Sequence, residues 1–318
     1  MSVFYTGVLF FLGLVLIVKG GDWFLDGAVW IAEVTGVPRF IIGATVVSFA
    51  TTLPELTVSV TGVLKGETDL AIGNAVGSVT ANLGLILGLS VVCIPALVDR
   101  RQFFGKAMLM AAGAALLMLL CAGGSLLAKP SLLLLIVFAL YLGSNLRDAA
   151  GRRGAGVPGG ARPAPPDRGM AVRKLAVFAA GLAGILAGSQ LLIEDGSALA
   201  LLLGVPASVI GVTLVAVGTS LPELVTALTA IARRETSLSV GNIIGANVID
   251  LTLILPVCSL LSGGQLTIAR QTNRLDLPAC LGMVLLSILP PMLRGRFYRW
   301  QGALMLAGYA GYVALLLR

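Results

Sequence analysis

The sequence VVSFATTLPELTVSV, Val46–Val60, places a glutamate, a proline and two threonines inside an apolar segment. The sequence LVAVGTSLPELVTAL, Leu214–Leu228, repeats the pattern 168 residues later, with Glu223 where the first copy has Glu55. If such segments cross a membrane, a carboxylate at the bilayer centre costs about 2.5–3.5 kcal/mol on insertion scales, so its presence normally serves a function. These two stretches are therefore candidates for a functional site that is present in two copies.

The composition indicates a protein surrounded mostly by lipid. Hydrophobic residues make up 57% of the 318 residues and charged residues only 12%. Apolar segments of about 20 residues or more recur, each long enough to cross roughly 30 Å of hydrocarbon as a helix. We count ten and expect an all-α membrane protein with spans at residues 3–34, 37–65, 68–98, 103–126, 130–147, 171–203, 205–233, 236–263, 273–293 and 299–317.

A polar interval rich in Gly, Pro and Arg divides the chain into two five-helix halves. The expected domains are residues 1–146, a cytoplasmic linker at 147–174, and residues 175–318. Lys and Arg concentrate on the side of this linker, which predicts that the N-terminus lies outside. The net charge of +7 is thus a topology signal, and no basic face with interleaved aromatic residues suggests nucleic-acid binding. No targeting segment is apparent, and a prokaryotic inner membrane is expected.

The two halves align without gaps beyond the opening motifs. GVPRFIIGATVVSFATTLPELTVS from Gly36 aligns with GVPASVIGVTLVAVGTSLPELVTA from Gly204, and ETDLAIGNAVGSVTANLGLIL from Glu67 aligns with ETSLSVGNIIGANVIDLTLIL from Glu235. This repetition indicates a duplication. Because five helices per half is an odd number, the second half enters from the opposite side and the repeats are inverted. Inverted repeats with matching interrupted helices are typical of secondary transporters with a midplane site.

Prolines predict interruptions of helices 2 and 7. Pro54 has no N–H for the carbonyl of Ala50, and Pro222 leaves that of Gly218 free. Non-helical backbone at this depth is tolerated where it is buried or lines a wet cavity, and its carbonyl oxygens can bind hard cations. Hydroxyl oxygens lie one turn from the carboxylates, on Thr51, Thr52, Thr219 and Ser220.

The two carboxylates predict a cation site. Two buried negative charges near each other repel, and a bound cation removes both the repulsion and the cost of burial. Oxygen ligands in a chain without His favour Na⁺, Ca²⁺ or Mg²⁺ over zinc or copper, and flexible carboxylate ligation suits Ca²⁺ better than Mg²⁺. Helices 3 and 8 add polar side chains on matching faces: Asn74, Ser78, Asn82, Asn242 and Asp250.

The paired motifs TTLPE with GNAVGSVTAN and GTSLPE with GNIIGANVID resemble the alpha repeats of the cation/calcium exchanger superfamily, especially prokaryotic sodium/calcium exchangers. The resemblance implies that Glu55 and Glu223 bind Ca²⁺ and share in Na⁺ binding. It implies further ligands at Thr51, Thr52, Thr219, Ser220, Ser78, Asn82 and Asp250, and at backbone carbonyls near Ser48 and Ala216. Ala246 replaces a serine hydroxyl of the family pattern, which implies a weakened or missing Na⁺ site.

Other functions stay open at this point. Proton-coupled antiport of Ca²⁺ or Na⁺ with the same two carboxylates as carriers is the nearest alternative. A channel is a weaker alternative, because steady ion conduction does not require paired inverted helices that each carry a glutamate. Rhomboid-type and zinc-type proteases need His, which the chain lacks, and no G-x-G-D stretch suggests an intramembrane aspartyl protease, so we expect no enzyme. The expected partners are the transported ions and the lipid bilayer, with no cofactor, no nucleic acid and no obligatory protein partner.

Charged residues on helices one and six suggest a structural role, with a role in gating as the alternative. Lys19 lies at helical pairing distance from Asp22 and Asp26, which predicts a mutually neutralising pair. Glu194 and Asp195 occupy helix six. By analogy with the family, helices one and six are expected to slide against the remaining bundle and expose the site to either side.

Overall fold

The computed structural model describes residues 3–95, 97–154, 167–202 and 220–316. Within these ranges the chain forms helices and two short strands, β1 (Ser125–Leu127) and β2 (Gln265–Thr267). The helices are α1 (Val3–Thr35), α2 (Arg39–Thr51), α3 (Leu53–Leu64), α4 (68–93), α5 (Arg100–Cys121), α6 (Ala128–Gly154), α7 (Arg168–Leu202), α8 (Leu221–Ala232), α9 (Thr236–Leu261), α10 (Thr272–Arg294) and α11 (Arg299–Leu316).

The described helices account for most of the expected spans. Seven are long and apolar enough to cross a membrane, and α2 with α3 makes an eighth when the bent pair is taken as one span. The expected span at 299–317 coincides with α11, and the one at 205–233 lies partly outside the described residues. The chain is therefore an all-helical, multi-pass membrane protein.

Helical structure extends into the expected linker from both sides. α6 continues to Gly154, and α7 already begins at Arg168. The residues involved include Ala, Leu, Arg and Lys, which are good helix formers, and a helix satisfies its own backbone bonds wherever the apolar layer ends. The segment at 147–174 thus contains less non-helical chain than its composition suggested.

The predicted interruption at Pro54 is confirmed. α2 and α3 are bent by 42° at Thr52, whose ψ of 0° lies outside the helical range, and Pro54 occupies the first turn of α3. α8 starts in the same way, with Ser220 at ψ 8° before Pro222. Proline is favoured at these positions because its missing N–H would be unpaired there anyway.

The turns that follow α3 and α8 have the same geometry. Glu67 N–H bonds Gly62 O at 2.8 Å, and Glu235 N–H bonds the repeat-equivalent Ala230 O at 2.7 Å. Arg234 takes a φ of 61°, unusual for a side-chain-bearing residue, where the first repeat has a glycine at φ 84°. The second turn therefore keeps the backbone of the first.

Two short antiparallel pairings join loops at the ends of the bundle, and neither was predicted. β1 after α5 pairs with β2 after α9. Leu97 before α5 pairs with Arg296 after α10, and Val98 N–H donates to Gly295 O at 3.0 Å. α5 has 22 residues, about 33 Å of helix, between these loops. α4 ends near Leu97, at the start of α5, whereas α9 ends near β2, which is paired with β1 at the end of α5. α4 and α9 therefore end at opposite ends of the bundle.

Glycines bring α2 and α9 into backbone contact. A Cβ built on Gly241 would lie 2.1 Å from Phe40 O, and one on Gly245 would lie 2.7 Å from Ala44 O. The reciprocal Gly43 would place a Cβ 2.2 Å from Leu238 O. Such small residues let membrane helices approach closely. The interrupted helix of the first half is thus held against a helix of the second.

Glycines also join α1 to α7, which run antiparallel. A Cβ on Gly20 would lie 2.8 Å from Gly181 O, and one on Gly13 would lie 3.0 Å from Gly188 O. Phe24 and Phe178 stack with ring centroids 4.6 Å apart. The two long helices therefore pack as one unit.

Replacing Gly241 by Ala should destabilise the protein, because the added methyl group meets backbone atoms that cannot rotate away. Overpacking of this kind costs about 1–3 kcal/mol. Thermal unfolding in detergent should show a lower Tm for Gly241→Ala. Gly105→Ala is the matched control, since no described atom lies within 4 Å of its Cβ. Equal Tm values for both variants would contradict the proposed backbone contact.

Candidate cation site

The first turns of α3 and α8 bring the two glutamates together in the interior. Glu55 and Glu223 are each 1% exposed. Ser220, just before α8, places its hydroxyl 3.4 Å from the Oε1 atom of Glu55, so the two breaks meet across the repeat. Each carboxylate also lies at a helix N-terminus, where the helix dipole favours negative charge.

These carboxylates lack the donors that a buried anion needs. Oε2 of Glu55 and both carboxylate oxygens of Glu223 accept no hydrogen bond of normal geometry, although the hydroxyls of Thr51 and Thr52 lie near Glu223. Thr52 stands at the break between α2 and α3, and its hydroxyl is also buried without a partner. An unsatisfied buried charged group costs several kcal/mol. These buried oxygens without a hydrogen-bond partner, called bare oxygens below, therefore need a positive partner.

Helices α4 and α9 contribute matching polar residues at π-helical turns. The turn in α4 spans Asn82–Leu87 and that in α9 spans Asp250–Ile254, beginning at the same position of the repeat. Such wide turns often occur at functional sites. Ser78 Oγ, Asn82 Oδ1 and both Asp250 carboxylate oxygens are buried and have no hydrogen-bond partner. They add further bare oxygens.

Helix α2 supplies oxygen atoms that already take part in hydrogen bonds within the protein. The Ser48 carbonyl already accepts from Thr52 N–H at 2.9 Å, and the Ser48 hydroxyl donates to Thr45 O at 3.1 Å. Thr51 Oγ1 lies 3.4 Å from Asn242 Oδ1. The Thr51 hydroxyl also lies 3.5 Å from Ser48 O, so this carbonyl becomes available to a cation when the Thr51 hydroxyl turns to Asn242 instead. The remaining two expected ligands, Thr219 and Ala216, lie outside the described residues.

Three negative groups influence one another in this interior. Glu55 is close enough to Glu223 and Asp250 for electrostatic repulsion, and Asp250 is also repelled by Glu223. Within the described ranges, no group of three His, Cys, Asp or Glu side chains could hold a metal ion by itself. A cation here must therefore rely on hydroxyl, amide and carbonyl oxygens as well as on carboxylates.

Three asparagines form hydrogen bonds that hold the helices and side chains around the site, and the sequence identified only two of them. Asn74 donates to Glu55 O at 3.2 Å and to Ser59 Oγ at 3.0 Å, so its amide joins α4 to α3. Asn82 Nδ2 donates to Asn247 Oδ1 at 3.2 Å, which fixes the unpaired oxygen of Asn82. Asn247 was missed because its repeat equivalent is Val79. Its position one helical turn before Asp250 was the available signal.

The expected pairing of Lys19 is wrong. Asp22 and Asp26 pair with Arg233 at the end of α8, with 2.6 Å between Arg233 Nη2 and Asp22 Oδ1. Lys19 makes no ion pair with any described residue and is exposed. Helical spacing identified the charges on α1, but the partner comes from the other repeat. Glu194 on α7 accepts a hydrogen bond from Gln190.

Known proteins resemble this chain over nearly its whole length. The family model described as sodium/calcium exchanger protein matches residues 5–146 and 173–318. An uncharacterized membrane protein of Methanocaldococcus jannaschii is 33% identical, and sodium/calcium exchanger MaX1 of Methanosarcina acetivorans is 31% identical; each alignment covers 96% of both chains. A structure of the sodium-calcium exchanger NCX_Mj has a TM-score of 0.84 and 32% identity, covering 98% of this chain and 99% of that one.

Replacing Asp250 by Asn should stabilise the cation-free protein, because one of three mutually repelling buried carboxylates is removed. In alkaline buffer containing a chelator, the Tm of Asp250→Asn should exceed that of the parent. Added Ca²⁺ should then raise the Tm by less than it does in the parent. Asp69→Asn, which removes an exposed carboxylate on α4, should leave both values unchanged. A lower cation-free Tm for Asp250→Asn would contradict the repulsion.

Proposed function

Because the chain belongs to the sodium/calcium exchanger protein family, we propose that it exchanges Ca²⁺ for Na⁺ across the membrane at the site around Glu55 and Glu223. Membership makes the chain a cation antiporter and a transporter. The transported ions are its substrates. We place it in a prokaryotic inner membrane with the N-terminus outside, on the distribution of Lys and Arg.

The observation that carries the proposal is the set of bare oxygens around the two glutamates. Three of their four carboxylate oxygens have no hydrogen-bond partner although both residues are fully buried. Hydrogen-bond donors would stabilise fixed anions permanently, whereas a mobile cation can arrive and leave. An oxygen-only environment suits Ca²⁺ and Na⁺.

The proposed ligands come from both repeats. Carboxylates of Glu55 and Glu223 form the centre, where Ca²⁺ and Na⁺ compete. The surrounding oxygens are those of Thr51, Thr52, Thr219, Ser220, Ser78, Asn82 and Asp250, with the backbone carbonyls of Ser48 and Ala216. The unpartnered oxygens of Thr52, Ser78, Asn82 and Asp250 support this set.

We infer ten membrane-spanning helices arranged as two five-helix repeats of inverted topology. The interruptions lie in the second span, formed by α2 and α3, and in the seventh span, to which α8 belongs. Residues 1–146 and 175–318 form the repeats, and the intervening segment is cytoplasmic. Support comes from the loop pairings, since α4 and α9 end at opposite ends of the bundle although they are repeat equivalents. The matching starts of α3 and α8 support the paired interruptions.

Exchange follows from sharing the carboxylates. An empty site carries uncompensated charge through a low-dielectric barrier, whereas a site filled with Ca²⁺ or with Na⁺ does not. Only loaded forms then cross readily, and the ions alternate. The glycine-lined pair α1–α7 is suited to slide as a unit against the rest of the bundle. Ala246, where a serine hydroxyl is usual, reduces the oxygens available for Na⁺.

Glu55→Gln and Glu223→Gln should each lower Ca²⁺ flux at low Ca²⁺ concentration by at least about thirtyfold, because an amide cannot replace a buried carboxylate as a charged ligand. Isotope uptake into proteoliposomes measures the effect, and size-exclusion profiles check folding. Glu67→Gln is the control, since Glu67 is exposed in the turn after α3. Undiminished flux in both site variants would reject this site.

An outward-directed Na⁺ gradient should drive Ca²⁺ uptake into proteoliposomes, and a pH gradient alone should not. Sharing of the carboxylates by Na⁺ and Ca²⁺ is the physical reason. Imposing each gradient separately at equal ionic strength compares the two coupling ions. Uptake that responds only to the pH gradient would establish the proton-coupled alternative.

A further inference from the structure

The two ends of the bundle differ in how the long helices meet the short ones. α1 and α7 are repeat equivalents, and so are α3 and α8. Repetition alone predicts that α1 meets α8 in the way that α7 meets α3. Instead, the first contact is closed and the second contains a cavity.

The α1–α8 contact is closed by packing and by charge. A Cβ on Gly21 would lie 2.8 Å from Thr229 Oγ1 and 3.0 Å from Val225 Cγ1, so no space separates the helices there. Immediately beyond, Arg233 at the end of α8 binds Asp22 and Asp26, one turn apart on α1. Both repeats contribute to this contact.

The equivalent α7–α3 contact is open. Ser189, which replaces Gly21, lines a cavity of about 310 Å³ together with Gln190 of α7, Thr57 of α3 and both break prolines. The Ser189 hydroxyl is buried and has no partner. The equivalents of Asp22 and Asp26 are Gln190 and Glu194, which bond to each other. The cavity reaches Pro54, next to Glu55, and so leads towards the site.

Lys65 stands where the second repeat has Arg233. The turns that carry them have the same backbone hydrogen bonds: Lys65 N–H to Thr61 O at 3.1 Å and Arg233 N–H to Thr229 O at 3.0 Å. Lys65 is exposed and forms no ion pair with a described residue. The turns therefore match, and the two ends differ in the separation of α7 from α3 and in the replacement of Asp22 by Gln190.

We propose that two ion-pair latches, each formed between the two repeats, close in alternation. Arg233 with Asp22 and Asp26 closes the α1–α8 end in the present conformation. Lys65 with Glu194 closes the α3–α7 end when the first latch opens and the cavity collapses. The inference rests on the proposed alternating exchange, and in the proposed topology the first latch is cytoplasmic and the second faces outside.

The strength of such pairs suits a contact that breaks in every cycle. The side chains of Arg233 and Asp22 are 34% and 36% exposed, so water and salt weaken their attraction. An interaction of this size shifts a two-state equilibrium severalfold without locking it. Glycine packing alone would not give the contact this dependence on salt.

Labelling of a cysteine under the first latch tests the proposal. Val225→Cys is introduced into Cys93→Ser protein, because Cys93 is the exposed native cysteine and Val225 is buried beneath Gly21. The rate of reaction with a polar maleimide is measured in detergent, in buffer of low ionic strength without Na⁺ or Ca²⁺, and the high-salt comparison uses an organic-cation salt. Arg233→Ala should raise this rate about fivefold, and high salt should do the same in the parent. Arg234→Ala is the matched control and should not raise it.

The second latch is tested by the opposite change. Lys65→Ala removes a pair formed only in the other conformation, so it should lower the labelling rate by about threefold. A Lys65→Cys and Glu194→Cys pair should form a disulfide on mild oxidation, and the oxidised protein should label faster at Val225→Cys. Equal rates for Arg233→Ala and Arg234→Ala would overturn the first latch. Absence of the disulfide, or no effect of Lys65→Ala, would overturn the second.

These rates do not depend on the identity of the transported ions, because they are measured without Ca²⁺ or Na⁺ as cargo. If the parent protein shows no calcium flux but the latch variants change the labelling rate as expected, the proposed function is rejected and the two conformations are retained. Normal flux with unchanged labelling would retain the exchanger and reject the latches.

Discussion

Two buried glutamates with few hydrogen-bond donors impose the main physical requirement on this protein. Glu55 and Glu223 are shielded from water, and most of their carboxylate oxygens have no hydrogen bond. A protein that only needed stability would pair such groups or replace them with apolar residues. Their arrangement around one another is explained if a cation completes the site transiently. Transport then follows from the same electrostatics that make the empty site costly.

The fold places these charges by interrupting helices and by packing backbone on backbone. Prolines at the starts of α3 and α8 turn two helix N-termini towards the interior, where the dipoles favour the carboxylates. Gly241 and Gly245 bring α9 against α2, so that Asp250 approaches the glutamates of both repeats. Neither proline nor glycine contacts a cation through its side chain. Both residue types act through the backbone, which determines the positions of the oxygen atoms around the glutamates.

Repeat register and apolar segments allowed much of this to be predicted from the sequence. The break at Pro54, the burial of Glu55 and Glu223, and the polar side chains on α4 and α9 were all expected. The strand pairings were not, because β1 and β2 have three residues each and carry no distinctive pattern. Arg233 was not matched to Asp22 because the partners are 211 residues apart and local spacing favoured Lys19. Contacts between the halves depend on tertiary packing, which a single repeat does not encode.

Asymmetry between nearly equivalent halves is what gives a duplicated transporter two sides. One end is packed and ion-paired, and the other holds a cavity that reaches towards Glu55. Anomalous diffraction from crystals grown with a heavier divalent cation, such as Sr²⁺, shows whether a cation binds between the two glutamates. We expect a peak between the Glu55 and Glu223 carboxylates, within bonding distance of both. A peak elsewhere, with no density between these two side chains at saturating cation, would rule out the proposed site.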